Sequence, residues 1–314
     1  MNNKYITAFA PASIGNVAVG FDMLGLAIKG AGDRVSVRKM SEEGLSIKEI
    51  YDQDGLPHKN LSKKSSENTA SIAADALWQS KGGQGGIEMI IHKGIPLQSG
   101  MGSSAASAVA GAVAVNALLD NPLPVEELMT YALEGEKYAS GGIHADNVAP
   151  SLIGGMVFCP PSFLPRTTSI EVPKGISSVL VHPDLIVNTA ESRNELSDNY
   201  SMKQWLDQQG YLAGFLLGLQ KIDLNLIKNS MQDVIIEPQR ASSVECFNEI
   251  KEAIMNKGAL GCSLSGSGPS IFALCEDHIA TEIKLIMMKI FTSHNISSEG
   301  WISSLDASGA YVES

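Results

Sequence analysis

Ile95-Pro96-Leu97-Gln98-Ser99-Gly100-Met101-Gly102-Ser103-Ser104-Ala105-Ala106-Ser107 is the stretch on which the fold turns. The apolar run at 87–92 reads as a strand ending just before it. Residues 105–119 read as an uncharged Ala/Val helix just after it. A strand that passes through small residues straight into a helix presents free backbone N–H groups and the positive end of the helix dipole. Gly100 and Gly102 let the backbone approach a ligand closely, and Ser103, Ser104 and Ser107 add hydroxyl donors. Such a loop is equipped to hold a phosphate; as a purely structural element it would be a glycine-rich turn capping a core helix. A Walker A loop needs Gly-Lys before Ser or Thr, and the chain contains no Gly-Lys dipeptide. Gly100-Met-Gly102-Ser-Ser-Ala105 does fit the dinucleotide pattern GxGxxG/A, which requires a second strand ending in an acid about twenty residues on. Asp120 has that spacing, but it follows helix-like Ala117-Leu118-Leu119 and precedes Asn121-Pro122, so the dinucleotide reading fails.

The rest of the chain sets this loop in a globular frame. Its 314 residues favour two domains. Apolar residues make up 44% and charged residues 18%, which suits a packed core. With 23 Lys plus Arg against 34 Asp plus Glu the net charge is −11, which argues against nucleic acid or a membrane surface as partner. Residues 105–119 are too short to cross a bilayer, and the N-terminus lacks a secretion signal, so a soluble, cytoplasmic protein is expected. Cys159, Cys246, Cys262 and Cys275 have no metal spacing and read as reduced thiols. Strands are expected at 5–9, 34–40, 45–51, 87–92 and 152–159. Helices are expected at 67–79, capped by Ser65 or Ser66, and at 125–138, opened by Pro124. Pro160, Pro161 and Pro165 mark a boundary near 160–172, dividing domains 1–165 and 166–314. Beyond it come strands at 178–182, 271–275, 296–302 and 309–313. Helices are expected near 189–197, 201–220, 222–231, 241–257 and 278–293, and a second Gly/Ser loop at 261–270.

Pro96–Ser107 resembles the central ATP-binding motif of the GHMP kinases, the galacto-, homoserine, mevalonate and phosphomevalonate kinases. Two further segments resemble that family's other motifs, in the expected order. Pro11-Ala-Ser-Ile-Gly-Asn16-Val-Ala-Val-Gly-Phe-Asp22 stands near the N-terminus, and Gly261-Cys-Ser-Leu-Ser-Gly-Ser-Gly-Pro-Ser270 near the C-terminus. The resemblance spans nearly the whole chain. It implies an α+β, two-lobed fold: an N-terminal lobe with the phosphate loop and a C-terminal ferredoxin-like α/β sandwich lobe. It also implies an ATP-dependent small-molecule kinase, with Pro96 to Ser107 around the nucleotide. Mg²⁺ would be held by Ser104 and Glu136, with Glu134 close enough to compete for that role.

Within the family, Ser140-Gly-Gly-Ile-His144-Ala-Asp146-Asn147, Thr189-Ala-Glu-Ser-Arg193 and Glu237-Pro-Gln-Arg240 are most similar to members that phosphorylate L-homoserine. By that resemblance Asn16, Asp22, Asn147, Arg193 and Arg240 contact the acceptor, joined by His144, Asp146 and Thr189. The chemistry agrees: the acceptor is a zwitterion, needing a carboxylate for its ammonium and arginines for its carboxylate. Many family members place an aspartate base near the acceptor hydroxyl. Here that position is Asn147, which cannot take the proton as a carboxylate would. The implied product is O-phospho-L-homoserine, on the route to threonine. The alternatives are another small-molecule kinase of the family, mevalonate-type or sugar-directed, and a silent nucleotide-binding relative. The implied partners are L-homoserine and ATP, with a homodimer as a further possibility.

Overall fold

The computed structural model describes residues 4–140, 142–197 and 199–314, apart from the side chains of Ser140, Thr189 and Ala190. In its first half, alternating apolar residues build a sheet. β1 (Ile6–Gly15) and β2 (Leu24–Met40) pair antiparallel, with Ile6 opposite Val37 and Gly15 opposite Gly25. β3 (Gly44–Tyr51) runs parallel to β4 (Gly86–His92), and β4 runs antiparallel to β2. β5 (Met156–Phe158) pairs with the start of β2, and β6 (Thr168–Ile170) pairs with β5.

Four helices accompany this sheet: α1 (Thr69–Ser80), α2 (Ser103–Asn116), α3 (Met129–Ser140) and α4 (Val148–Ile153). Every residue of α2 from Ala105 to Val115 is buried, and a helix apolar on all sides belongs in a core. Its small Ala, Val and Gly residues let neighbouring elements close around it. That burial fixes the direction of its N-terminus, and so the place of the glycine loop before it.

The second sheet has the order β10 (Ser298–Ser304), β7 (Ile176–Pro183), β9 (Ile271–Glu276), β8 (Gly261–Leu264), antiparallel throughout. Between β7 and β8 the chain forms α5 (Thr189–Asn194), α6 (Met202–Lys221), α7 (Leu224–Ser230), α8 (Glu237–Arg240) and α9 (Phe247–Lys257). α9 and α10 (Ala280–Ser293) pack on this sheet through Phe247, Ile250, Ile254, Ile283, Met287 and Phe291. The chain ends in β11 (Tyr311–Val312), which returns to the first sheet beside β1. The sheets meet where the Lys29 N–H donates to Ser303 Oγ at 2.9 Å. One hydrophobic cluster runs from β1 and β2 through to Leu180, Phe272 and Leu274 of the second sheet. The result is the expected α+β class with two sheets. Among the described residues no helix is long and apolar enough to cross a membrane, and the four cysteines are buried free thiols.

Several local expectations need correction. The helix expected at 67–79 begins at Thr69, and its cap is Asn68, whose side chain accepts from the Ala70 N–H; Ser65–Glu67 is a separate 3-10 turn. Pro124 precedes another 3-10 turn, Val125–Leu128, and the α-helix starts only at Met129. The strand expected at 152–159 is split. Val148–Ile153 is helical, Gly154-Gly155 breaks the run, and only Met156–Phe158 pairs in the sheet. The loop expected at 261–270 begins with a strand, Gly261–Leu264, so only its second half is loop. Residues 24–32, given no structure from the sequence, extend β2 to seventeen residues.

Candidate active site

The loop between β4 and α2 is shaped by left-handed backbone. Gly100 has φ +75° and Gly102 has φ +68°, and Gly102 is the residue immediately before α2. A Cβ at Gly100 would stand 2.4 Å from the Ser265 carbonyl, and one at Gly102 2.3 Å from Ser13 Oγ. Only glycine satisfies both the conformation and the space. The second Gly/Ser loop clamps the first: Ser265 Oγ donates to the Gly100 carbonyl and Ser270 Oγ to the Ser99 carbonyl, both at 2.6 Å. Ser265 is fully buried and acts as a brace, whereas Gly266 and Ser267 line the cavity.

Beneath this loop lies a charged cluster that the sequence reading missed. Lys93 is paired with Asp33 at the end of β4, and both are buried. The Lys93 ammonium also donates to the Ser103 carbonyl (2.9 Å) and to Ser107 Oγ (2.7 Å). Asp33 Oδ1 accepts the N–H groups of Gly94 and Ile95, and Oδ2 accepts Ser107 Oγ–H. Both ends of the loop are thereby tied to one ion pair.

In front of the loop, Ser104 Oγ donates to Glu136 Oε2 at 2.7 Å. Burial pushes the Glu136 carboxyl up to about 7, with the nearby Asp146 charge acting in the same direction. A buried carboxylate whose ionisation is disfavoured, beside a hydroxyl oxygen, is a hard-oxygen donor pair that a divalent cation would complete. Among the described residues no group of three or more His, Cys, Asp or Glu could hold a metal by itself. Two hard oxygens of this kind suit the coordination habit of an ion such as Mg²⁺, which takes one or two protein oxygens and shares the rest with phosphate and water.

The opposite end of the cavity is zwitterionic. Arg193 on α5 makes a bidentate pair with Asp22 at 2.9 and 2.7 Å. Arg240 on α8 is buried; it donates to the Gly266 carbonyl at 3.1 Å, while its Nε has no hydrogen-bond partner. No carboxylate among the described residues forms an ion pair with it. Burial lowers its pKa, and the Arg193 charge adds to the effect. Asn16 Nδ2 donates to the same Gly266 carbonyl and Asn16 Oδ1 accepts the Asp22 N–H, so one residue connects both sides. Asp146 accepts the Asn16 N–H, and burial, followed by the Asp22 charge, raises its pKa to about 7. Asn147 Oδ1 accepts Ser13 Oγ–H at 2.9 Å. His144 Nδ1 is buried without a hydrogen-bond partner, 3.6 Å from Asp22, and burial lowers the ring's pKa.

These two ends share one cavity of about 560 Å³. Asn16, Asp22, Leu97, Gln98, Ser99, Gly100, Gly102, Ser103, Ser104, Ser107, Glu136, His144, Asp146, Asn147, Arg193 and Arg240 all line it. Met101, Ala105 and Ala106 lie in the core, and Pro96 flanks the cavity without lining it. The Thr189 side chain lies outside the described residues. Glu134, the competitor of Glu136, does not line the cavity. Asn60, Leu61, Asn68, Thr69 and Tyr138 extend it beyond the loop and went unnoticed in the sequence, since nothing in their spacing marks them.

The GHMP kinase N-terminal domain model matches residues 68–155, and the GHMP kinase C-terminal model matches residues 202–289. The chain belongs to the GHMP kinase family. Among its relatives, a homoserine kinase of Xylella fastidiosa is 40% identical over 304 residues, 96% of this chain and 92% of that protein. One from Chlorobium phaeobacteroides is 39% identical over 319 residues, covering 98% and 99% of the two chains. The crystal structure of homoserine kinase from Cytophaga hutchinsonii aligns with TM-score 0.94 at 40% identity, over 100% of this chain and 98% of that one. Mevalonate kinase from Methanococcus jannaschii aligns at TM-score 0.68 and 15% identity, a likeness of fold alone.

Proposed function

We propose that this chain is an ATP-dependent L-homoserine kinase, forming O-phospho-L-homoserine and ADP. The observation that carries the reading is the pairing, in one cavity, of a glycine-lined anion loop with an Asp22/Arg193/Arg240 cluster suited to a zwitterion. Relatives at 36–40% identity that bear the homoserine kinase name support it.

The loop N–H groups and the start of α2 hold the phosphates, and Asn60, Leu61, Asn68, Thr69 and Tyr138 offer the space for the nucleoside. Ser104 and Glu136 would hold Mg²⁺, which when bound would neutralise charge on the nucleotide phosphates. At the other end Asp22 takes the acceptor's ammonium. Arg240, buried with no described carboxylate, takes its carboxylate together with Arg193. Asn16 and Asn147 orient the terminal hydroxyl. Its oxygen bonds to the γ-phosphorus as the bond to the β–γ bridging oxygen breaks, and its proton passes to a γ-phosphate oxygen. Asn147 is neutral, so the protein contributes positioning and electrostatics rather than a base at that position.

A coupled ADP-release assay over L-homoserine, mevalonate, galactose and shikimate tests this. L-homoserine should exceed each of the others in kcat/KM by at least about a hundred-fold, because buried charges are left unpaired by acceptors lacking one end of the zwitterion. Preference for an acceptor without an amino group would remove the assignment.

A further inference from the structure

Phe21 stands between Gly20 and Asp22 in the turn joining β1 to β2, and carries no group that could react or hydrogen-bond through its side chain. The guanidinium carbons of Arg193 and Arg240 each lie 5.3 Å from the centroid of its ring. These two cations come from different helices and face the same cavity, so in an empty site they repel each other. Asp22 neutralises Arg193 through its bidentate pair, but Arg240 has no such partner among the described residues. The negative face of an aromatic ring attracts a guanidinium, most of all where water is scarce, and here one ring serves two of them.

The turn is built to hold that ring still. Asn16, Val17, Ala18 and Asp22 all have left-handed backbone, with φ of 68°, 43°, 61° and 57°. Such a run costs free energy for non-glycine residues and persists only when surrounding contacts impose it. Those contacts are present: Asn16 accepts the Gly20 N–H through its carbonyl and the Asp22 N–H through its side chain. Gln208 of α6 donates to the Val19 carbonyl.

We infer that Phe21 is a positioning residue for the acceptor's carboxylate. Its ring holds Arg193 and Arg240 as a pre-assembled pair, so that an α-amino-acid acceptor meets two oriented cations instead of organising them itself. The inference rests on the reading of the cavity as the homoserine site, and sets which chemical feature of the acceptor Phe21 serves.

The test compares L-homoserine with 3-aminopropan-1-ol, the same acceptor without its carboxylate. In Phe21→Leu, KM for L-homoserine should rise about ten-fold, as two cation–π contacts in a partly dry site are lost. Its kcat should stay within about three-fold, while kcat/KM for 3-aminopropan-1-ol and KM for ATP stay within about two-fold. Phe21→Tyr should restore the wild-type KM. Phe21→pentafluorophenylalanine, which keeps the shape and reverses the ring quadrupole, should behave like Leu. A purely structural role would instead raise KM for ATP and both acceptors together, and pentafluorophenylalanine would pass as wild type; either result overturns the inference. A wild-type enzyme inert toward L-homoserine overturns the homoserine reading and this inference with it. An active wild type whose preference for L-homoserine over 3-aminopropan-1-ol is undiminished in Phe21→Leu overturns the inference alone.

Discussion

Replacing Lys93 by Met removes an ammonium from beneath the β4–α2 glycine loop while keeping an unbranched side chain of similar reach. Asp33 is fully buried, and Lys93 is only 5% exposed. With the ammonium gone, Asp33 keeps three donors, the N–H groups of Gly94 and Ile95 and the Ser107 hydroxyl, but no counter-charge in the described structure. Removing one partner of a buried pair costs about 3–5 kcal/mol, mainly because the other charge is stranded. The loss should fall on the loop, since Lys93 also holds the Ser103 carbonyl and Ser107 Oγ at the start of α2. Equilibrium denaturation of Lys93→Met should therefore show about 3–5 kcal/mol less stability, with a raised KM for ATP. Adding Asp33→Asn removes the stranded charge yet leaves a carbonyl oxygen for the backbone N–H groups. The double variant should regain about 1–2 kcal/mol over Lys93→Met. A loss below about 1 kcal/mol in the single variant, or strictly additive losses in the double, would refute the view that this pair braces the loop.

Arg240→Ala should raise KM for L-homoserine by the equivalent of about 2–5 kcal/mol while KM for ATP barely moves, as steady-state kinetics would show. Glu136→Gln should lower kcat by orders of magnitude with partial rescue by excess Mg²⁺, whereas the loss in Asn147→Ala should not respond to added metal. In metal-free protein Glu136 is held protonated up to about 7, so folding takes up a proton that the unfolded chain, at its ordinary 4.5, has released. The wild type thus loses stability as pH rises from about 4.5 to 7, a loss Gln cannot share. Melting temperatures in EDTA should show Glu136→Gln gaining on wild type over that window and then levelling off. Gly100→Ala puts a Cβ 2.4 Å from the Ser265 carbonyl at a φ of +75°, so it should weaken ATP binding and lower the melting temperature together.

The glycine loop between β4 and α2 was legible because its information is local: strand, glycines, serines and uncharged helix follow one another over residues 87–119. That Asp22, Arg193 and Arg240 share a cavity was legible only through family resemblance, since Asp22 and Arg193 meet across 171 positions of chain. What the sequence concealed is tertiary. Lys93 looks like an ordinary flanking lysine, and only the fold brings it against Asp33, sixty positions earlier. Gly261–Leu264 reads as loop by composition and becomes a strand because β9 pairs with it. Leu152 and Ile153, read as the start of a strand, instead close the short helix Val148–Ile153 that follows Asp146 and Asn147 at the cavity. Phe21 gave no chemical signal, since its place under two cations exists only once α5 and α8 are folded over the β1–β2 turn.

The most direct test is to identify the product. Purified protein incubated with ATP, Mg²⁺ and L-homoserine should release ADP in a one-to-one ratio with a new phosphomonoester. Phosphorus–proton correlation NMR should place that phosphate on the terminal CH₂–O group, with the α-amino group free. ATP hydrolysed to inorganic phosphate without acceptor modification, or an acceptor phosphorylated at any other position, would contradict the account.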